Sequence, residues 1–321
     1  MSLAEFSLID RIRARTRDRA DIVLGIGDDA ALLQPQAGLQ LVVTADTLNS
    51  GVHFPPETPA ADIGWKTLAV NLSDLASMGA TPAWCTLALS LPSAETEWVD
   101  AFADGFFALA DAHGMVLIGG DTTRGPLSLS VTAMGQVAPG TALRRDAAQV
   151  GDEVWVSGTL GDAAIALRAW HGGTLDVGHV ADNAQVEFLR QRLARPTPRV
   201  ALGRALVGMA HAAVDVSDGL MADLGHICVR SGVAARIDPA SLPLSAAARS
   251  RVGEAHARDA ALRGGDDYEL CFTAPAGRHD GVAALAERLG VPLTRIGEII
   301  AGEGVDAEGH ERDAPGYEHF L

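Results

Sequence analysis

Leu39-Gln40-Leu41-Val42-Val43-Thr44-Ala45-Asp46 reads as a β-strand that delivers Asp46 flanked by the hydroxyls of Thr44 and Thr47. Pro59 then opens a helix with a proline suited to a first turn. That helix runs through Trp65, Leu68, Leu72, Leu75 and Met78 and stops at Gly79, which leaves Asp74 among small and apolar neighbours. Working outward, Leu3, Phe6, Ile9 and Ile12 space a first helix over 3–19. Residues 83–90 read as a strand closed by Pro92, 95–113 as a long helix, 115–118 as a strand aimed at Gly119-Gly120-Asp121, and 127–137 as another strand. Pro139-Gly140 is the first plausible linker. Beyond it, 152–157 and 213–216 read as strands, 162–170, 199–211 and 220–230 as helices, and 171–181 as a glycine-rich loop. Long helices and scattered strands, with no repeat of about 20–50 residues, predict an α/β or α+β chain in two layered domains.

A length of 321 residues favours two domains over one core, and the 48% hydrophobic and 21% charged content is that of a soluble globular chain. The longest apolar runs fall short of a membrane span, and the first ten residues turn polar before an export signal forms. A net charge of −16 argues against nucleic acid or an anionic membrane as partner. Cys85, Cys228 and Cys271 lie in apolar stretches without metal-type spacing, which predicts buried reduced thiols in a reducing cytoplasm.

Six segments set aspartate beside glycine or a hydroxyl residue: 25–29, 44–47, 71–74, 119–122, 215–219 and 264–269. For any single aspartate a turn or helix cap is the commoner role. Together, most of them after an apolar run, they predict carboxylates gathered around a cation. Without a histidine or cysteine cluster, that cation is a hard one such as Mg²⁺, completed by substrate phosphate oxygens. Asp28 and Asp29 point oppositely along an extended backbone, so one reaches a site while the other caps its loop. Gly119-Gly120 would let a phosphate approach the backbone, and Asp215 and Asp218 flank Ser217 where a strand meets a helix start that favours anions. Lys66 is the chain's single lysine and lies in Gly-Trp-Lys-Thr, so no phosphate-loop lysine exists. Metal ions and arginine must therefore neutralise the phosphates of any nucleotide.

Leu24-Gly25-Ile26-Gly27-Asp28-Asp29-Ala30-Ala31, Asp46 to Phe54, Lys66 to Ala80, Gly119 to Gly125, Asp215 to Leu220 and Gly264 to Leu270 occur in the order and approximate spacing of the thiamine-monophosphate kinase family. The resemblance covers essentially the whole chain. It implies the aminoimidazole-ribonucleotide-synthetase-like fold, with residues 1–145 as an ATP- and Mg²⁺-binding domain that pairs through its sheet in a homodimer. Residues 146–321 would form the C-terminal α/β domain. It further implies ATP-dependent phosphorylation of thiamine monophosphate by direct in-line transfer. Carried over by motif, Asp29, Thr44, Asp46, Asp74, Asp121 and Asp215 are metal ligands, with Asp218 near a further ion. Gly120, Asp121, Arg145 and Ser217 contact ATP, while His53, Asp266 and the tail aromatic Tyr317 face thiamine monophosphate. On composition alone His53 is more often a structural histidine, and Arg144 and Arg145 a solvated pair. A selenophosphate synthetase would need a reactive cysteine in an N-terminal glycine-rich loop, where this chain has none. A cyclo-ligase is disfavoured by Ser50-Gly51-Val52-His53-Phe54 and the Gly264–Glu269 segment. A non-catalytic cation-binding protein has no use for glycines beside its carboxylates.

Overall fold

The computed structural model describes residues 5–93 and 95–307. The chain divides into two compact units: Met1–Leu75, Ala80–Gly140 and Val177–His179 form the first, and Ala76–Gly79, Thr141–Asp176 and Val180–Leu321 the second.

The first unit begins with α1 (Glu5–Arg13) and a small pair of strands, β1 (Ile22–Leu24) and β2 (Leu32–Leu33). It continues through β3 (Gln40–Asn49), α2 (Ala60–Ser77), β4 (Thr81–Leu91), α3 (Thr96–His113), β5 (Val116–Arg124) and β6 (Ser128–Val137). The larger sheet has the order β3-β6-β4-β5, with β4 and β5 parallel and the other pairs antiparallel. A parallel pair needs a crossover, and α3 supplies it. Leu68, Leu72 and Leu75 of α2, Phe102 and Phe106 of α3, and Leu129 and Val131 of β6 are buried and form the core. The two helices touch through backbone: a Cβ on Gly64 would lie 2.1 Å from the Phe102 carbonyl oxygen, and one on Gly105 1.8 Å from that of Ala61. These glycines are required by packing, so neither position admits alanine without moving a helix.

The second unit comprises β7 (Asp152–Ser157), α4 (Asp162–His171), α5 (Ala184–Ala194), α6 (Val200–Leu206), β8 (Ala212–Asp215), α7 (Leu220–Ser231) and β9 (Ala234–Ile237). It ends with α8 (Ala246–Val252), α9 (Glu254–Arg263), β10 (Leu270–Pro275), α10 (His279–Leu289), β11 (Leu293–Ile300) and β12 (Gly304–Ala307). Its sheet has the order β12-β9-β11-β7-β10-β8, and only β12 and β9 run parallel. Helix and strand alternate along the chain, yet the sheet they build is largely antiparallel. No described helix is long and apolar enough to cross a membrane.

Several expected boundaries move. The first helix ends at Arg13 rather than at 19, and the helix expected over 199–211 stops at Leu206. The strand expected to end at Asp46 continues to Asn49, and the one expected over 115–118 continues to Arg124. Asp46 and Asp121 thus sit inside strands, held by ladder hydrogen bonds, instead of in turns at strand ends. The three cysteines are free and buried.

Candidate functional site

In the first unit the Thr44 hydroxyl of β3 donates a hydrogen bond to the Asp74 carboxylate of α2. Alternation along a strand puts Asp46 on the same face as Thr44, and Thr47 on the other, where its hydroxyl lies 2.6 Å from that of Ser130. One edge of the sheet therefore carries a hydroxyl and two carboxylates on a single face. Among the described residues no group of three or more His, Cys, Asp or Glu side chains lies close enough to hold a metal by itself. An open set of oxygens fits an ion that keeps water and substrate oxygens in its shell, as Mg²⁺ does, and does not fit a closed zinc centre.

Asp121 is not part of that set within one chain. It lies on β5 at the opposite edge, three strand spacings or about 14 Å away. The register aligns Asp46 with Val131, Leu87 and Gly120, and Thr47 with Ser130, Ala88 and Asp121. The two aspartates consequently project from opposite faces. Gly120 has a structural duty beside any functional one, because a Cβ there would lie 1.9 Å from the Leu87 carbonyl oxygen. Gly119 faces open space instead. Gly119, Gly120, Asp121 and Thr122 line a cavity of about 110 Å³ with Ile9, Ile12 and Leu117.

Asp28 Oδ1 accepts the Asp29 backbone N–H at 2.8 Å, so Asp28 caps the loop. His53 Nδ1 accepts the Asn49 N–H at 3.0 Å, which makes Nε2 the proton-bearing nitrogen of the neutral ring. The buried Lys66 ammonium donates to the His53 carbonyl oxygen at 3.0 Å and ties this turn to α2. The only lysine is thus engaged in holding the His53 turn.

In the second unit, Asp215 ends β8 and the turn Ser217-Asp218-Gly219 leads into α7. The N–H groups of the turn that leads into this helix are already engaged within the chain. A single oxygen, Asp223 Oδ2, accepts the backbone N–H groups of Ser217, Asp218 and Gly219 at 3.0, 3.0 and 3.1 Å. Asp223 is buried, and desolvation followed by the nearby Asp218 charge pushes its carboxyl up to about 7 against the pull of those N–H groups and Arg145. Arg145 is fastened to the far end of the same helix, where its carbonyl oxygen accepts from the Ser231 hydroxyl at 2.8 Å.

Asp266 meets this turn directly, since its N–H donates to the Ser217 carbonyl oxygen at 2.8 Å. Gly265 permits the approach, because a Cβ there would lie 2.3 Å from that same oxygen. Asp266 and Tyr268 adopt left-handed backbone angles, with φ of 67° and 50°, and the Tyr268 hydroxyl donates to Asp266 Oδ1 at 3.0 Å. Left-handed φ is rare outside glycine, and costs about 1–3 kcal/mol where the surroundings enforce it. Arg145, Ser217, Asp218 and Asp266 therefore gather in one unit, with Asp215 leading into them. Tyr317 lies outside the described residues.

What enforces the strained loop is a buried ionic network with no place among the expected site residues. Glu269 accepts Arg199 Nε and Nη2 at 2.6 and 2.5 Å and the Ser157 hydroxyl at 2.5 Å. Asp267 Oδ2 accepts the Gly161 N–H at 2.6 Å, and Arg192 donates to the carbonyl oxygens of Thr159 and Asp267. With Asp162, the network sets three buried carboxylates against two guanidinium groups. Burial, the main cause, pushes the Asp267 carboxyl up to about 8, and the charges of Asp162 and Glu269 add to it. Folding thus favours protonated Asp267: its contribution is full below the unfolded carboxylate range and is lost as pH rises through about 8. We expect melting temperature to fall as pH rises from 5 to 8, and Asp267→Asn, which keeps an acceptor for Gly161, to flatten that slope. Calorimetry across this range checks it; an unchanged slope in the variant contradicts it.

The comparisons with known proteins agree along the full length. Residues 27–137 match the AIR synthase related protein N-terminal domain, and 149–310 the corresponding C-terminal domain. The thiamine-monophosphate kinase of Salmonella typhimurium is 46% identical over 327 residues, covering 100% of this chain and 99% of the relative. The crystal structure of thiamine-monophosphate kinase from Stenotrophomonas maltophilia K279a superposes with a TM-score of 0.91 at 70% identity, covering 97% of this chain and 98% of that one. A structure of AaThiL complexed with AMPPCP and TMP superposes with a TM-score of 0.78 at 32% identity, covering 100% and 99%. With two AIR synthase related domains in sequence and near-complete coverage by such relatives, this chain belongs to the thiamine-monophosphate kinase family.

Proposed function

We propose that this protein transfers the γ-phosphoryl group of ATP to thiamine monophosphate, giving ADP and thiamine diphosphate, the last step in making that cofactor. The observation that supports this reading is the Ser217 turn hydrogen-bonded to the strained Asp266 loop, a contact between the residue proposed to meet ATP and the one proposed to meet thiamine monophosphate. The reading is supported by a relative complexed with AMPPCP and TMP at full coverage. An oxygen of the thiamine monophosphate phosphate group attacks the γ-phosphorus in line, and the bond from that phosphorus to the ADP oxygen breaks. The acceptor is already anionic, so no general base is required, and catalysis rests on alignment and charge neutralisation.

Thr44, Asp46 and Asp74 would hold Mg²⁺ on one sheet edge, and Asp29, Asp121, Asp215 and Asp218 are the other proposed metal ligands. When bound, the ions screen the phosphates and stabilise charge on the transferring group. The apolar cavity beside Gly119 and Gly120 suits a nucleobase with phosphates along bare backbone. Arg145 and Ser217 would contact ATP, while His53 Nε2, Asp266 and Tyr317 face the acceptor. A homodimer joined through the first unit's sheet accounts for exposed Leu41 and Val43, at 49% and 58%, on the outer face of edge strand β3. Three buried thiols fit a reducing cytoplasm, and the net charge of −16 disfavours nucleic acid or an anionic membrane as partner. With ATP and Mg²⁺, ADP release should require thiamine monophosphate, and free thiamine should not replace it. ADP release at the same rate without thiamine monophosphate overturns the proposal.

A further inference from the structure

The turn between β8 and α7 has the form of an anion site: three consecutive N–H groups converge at a helix start. Asp223, four residues beyond Gly219 in the chain, folds back and puts one carboxylate oxygen at the point of convergence. The same helix fixes Arg145 at its other end through Ser231, and the Ser217 carbonyl oxygen receives the Asp266 N–H. Two further constraints keep the turn compact. A Cβ on Gly219 would lie 2.8 Å from the Arg263 carbonyl oxygen, and Gly219 itself adopts φ of 118°.

We propose that Asp223 is a positioning residue: its carboxyl oxygen is a built-in acceptor that fills this turn and presents Ser217 and Asp218 to the nucleotide. The N–H groups themselves then take no phosphate. This deepens the kinase reading and rests on it for the identity of the nucleotide. Two consequences follow from the geometry. A phosphate placed at this turn finds the three donors occupied by Asp223 and meets the Asp218 carboxylate, so an intervening cation is obligatory and metal-free polyphosphate is rejected. Removing the Asp223 side chain should instead create a metal-free anion site, because the three donors are left without their acceptor.

The test uses the full chain, EDTA and inorganic pyrophosphate, read by the backbone amide resonances of Ser217, Asp218 and Gly219. In the wild type these resonances should stay in place on titration, and in Asp223→Ala they should shift. Asp223→Asn offers a neutral oxygen to the same donors and should hold the turn closed, with resonances in place. In turnover, Asp223→Ala should raise the KM for ATP about ten-fold or more and leave that for thiamine monophosphate within about two-fold, with Asp223→Asn recovering most of the loss. A merely structural role would reduce active enzyme and move neither KM. Shifts of these three amides in the metal-free wild type overturn the proposal, as does a folded Asp223→Ala whose amides ignore pyrophosphate. If Asp223→Ala does not fold, the wild type and Asp223→Asn decide it, because either one shifting at these amides is the overturning result. The resonance arm needs no turnover, so its failure is distinct from failure of the kinase reading.

Discussion

Asp74→Asn is expected to lower turnover by about a hundred- to a thousand-fold while leaving the fold intact. Asparagine has the shape of aspartate, and its amide oxygen still accepts the Thr44 hydroxyl, so the contact between β3 and α2 survives. What is lost is a negative charge on the face shared by Thr44 and Asp46, where two carboxylates and a hydroxyl are too few to hold an ion without both charges. The loss should therefore appear as a steeper Mg²⁺ requirement, partly recovered at high Mg²⁺. Without metal, the melting temperature should stay within about 2 °C of the wild type, a shift that corresponds to about 1.3 kcal/mol in a chain of this size. A collapse of metal-free stability would instead make Asp74 a structural residue.

Glu269→Ala is expected to have the largest effect on stability, about 3–5 kcal/mol, because it removes one partner of a buried ion pair and leaves the other charged. Its side chain is 1% exposed and is clamped by both nitrogens of Arg199, with Arg192 Nη2 at 3.2 Å. The Ser157 hydroxyl that donates to it also accepts the Leu270 N–H at 2.9 Å, so the truncation loosens β7 and β10 where they meet. The left-handed conformations at Asp266 and Tyr268 lose their anchor in the same step. The denaturation midpoint of Glu269→Ala should fall sharply, whereas Arg236→Ala, whose exposed Glu298 partner is well solvated, should change it little. Equal shifts for the two variants would contradict the account of the network.

The sequence conveyed element types well and the ends of elements poorly. Apolar periodicity located α2, α3, α4 and α7, because their buried faces dominate their composition. It did not convey that Asp46 and Asp121 are interior to strands, since a ladder continues wherever a partner strand is available and the partner is remote in sequence. Pairing order was equally hidden: β3 and β5 lie at opposite edges, which separates two aspartates that their motifs had grouped. The glycine pair read as a phosphate approach turned out to have a packing duty as well, at Gly120 against Leu87, and Gly265 has one against Ser217. Asp223 had one legible signal, an acidic residue early in the helix that follows Ser217-Asp218-Gly219, a place where carboxylates satisfy helix-start N–H groups. The network of Asp267 and Glu269 with Arg192 and Arg199 had none, because some 70 residues separate the members and burial alone gives them meaning.

The most direct measurement supplies ATP labelled with ¹⁸O in the γ-phosphoryl group, together with Mg²⁺ and thiamine monophosphate, and identifies the products by mass. The expected product is thiamine diphosphate carrying the label on its terminal phosphate, in equal amount to ADP. Labelled inorganic phosphate and ADP with no thiamine diphosphate would contradict it.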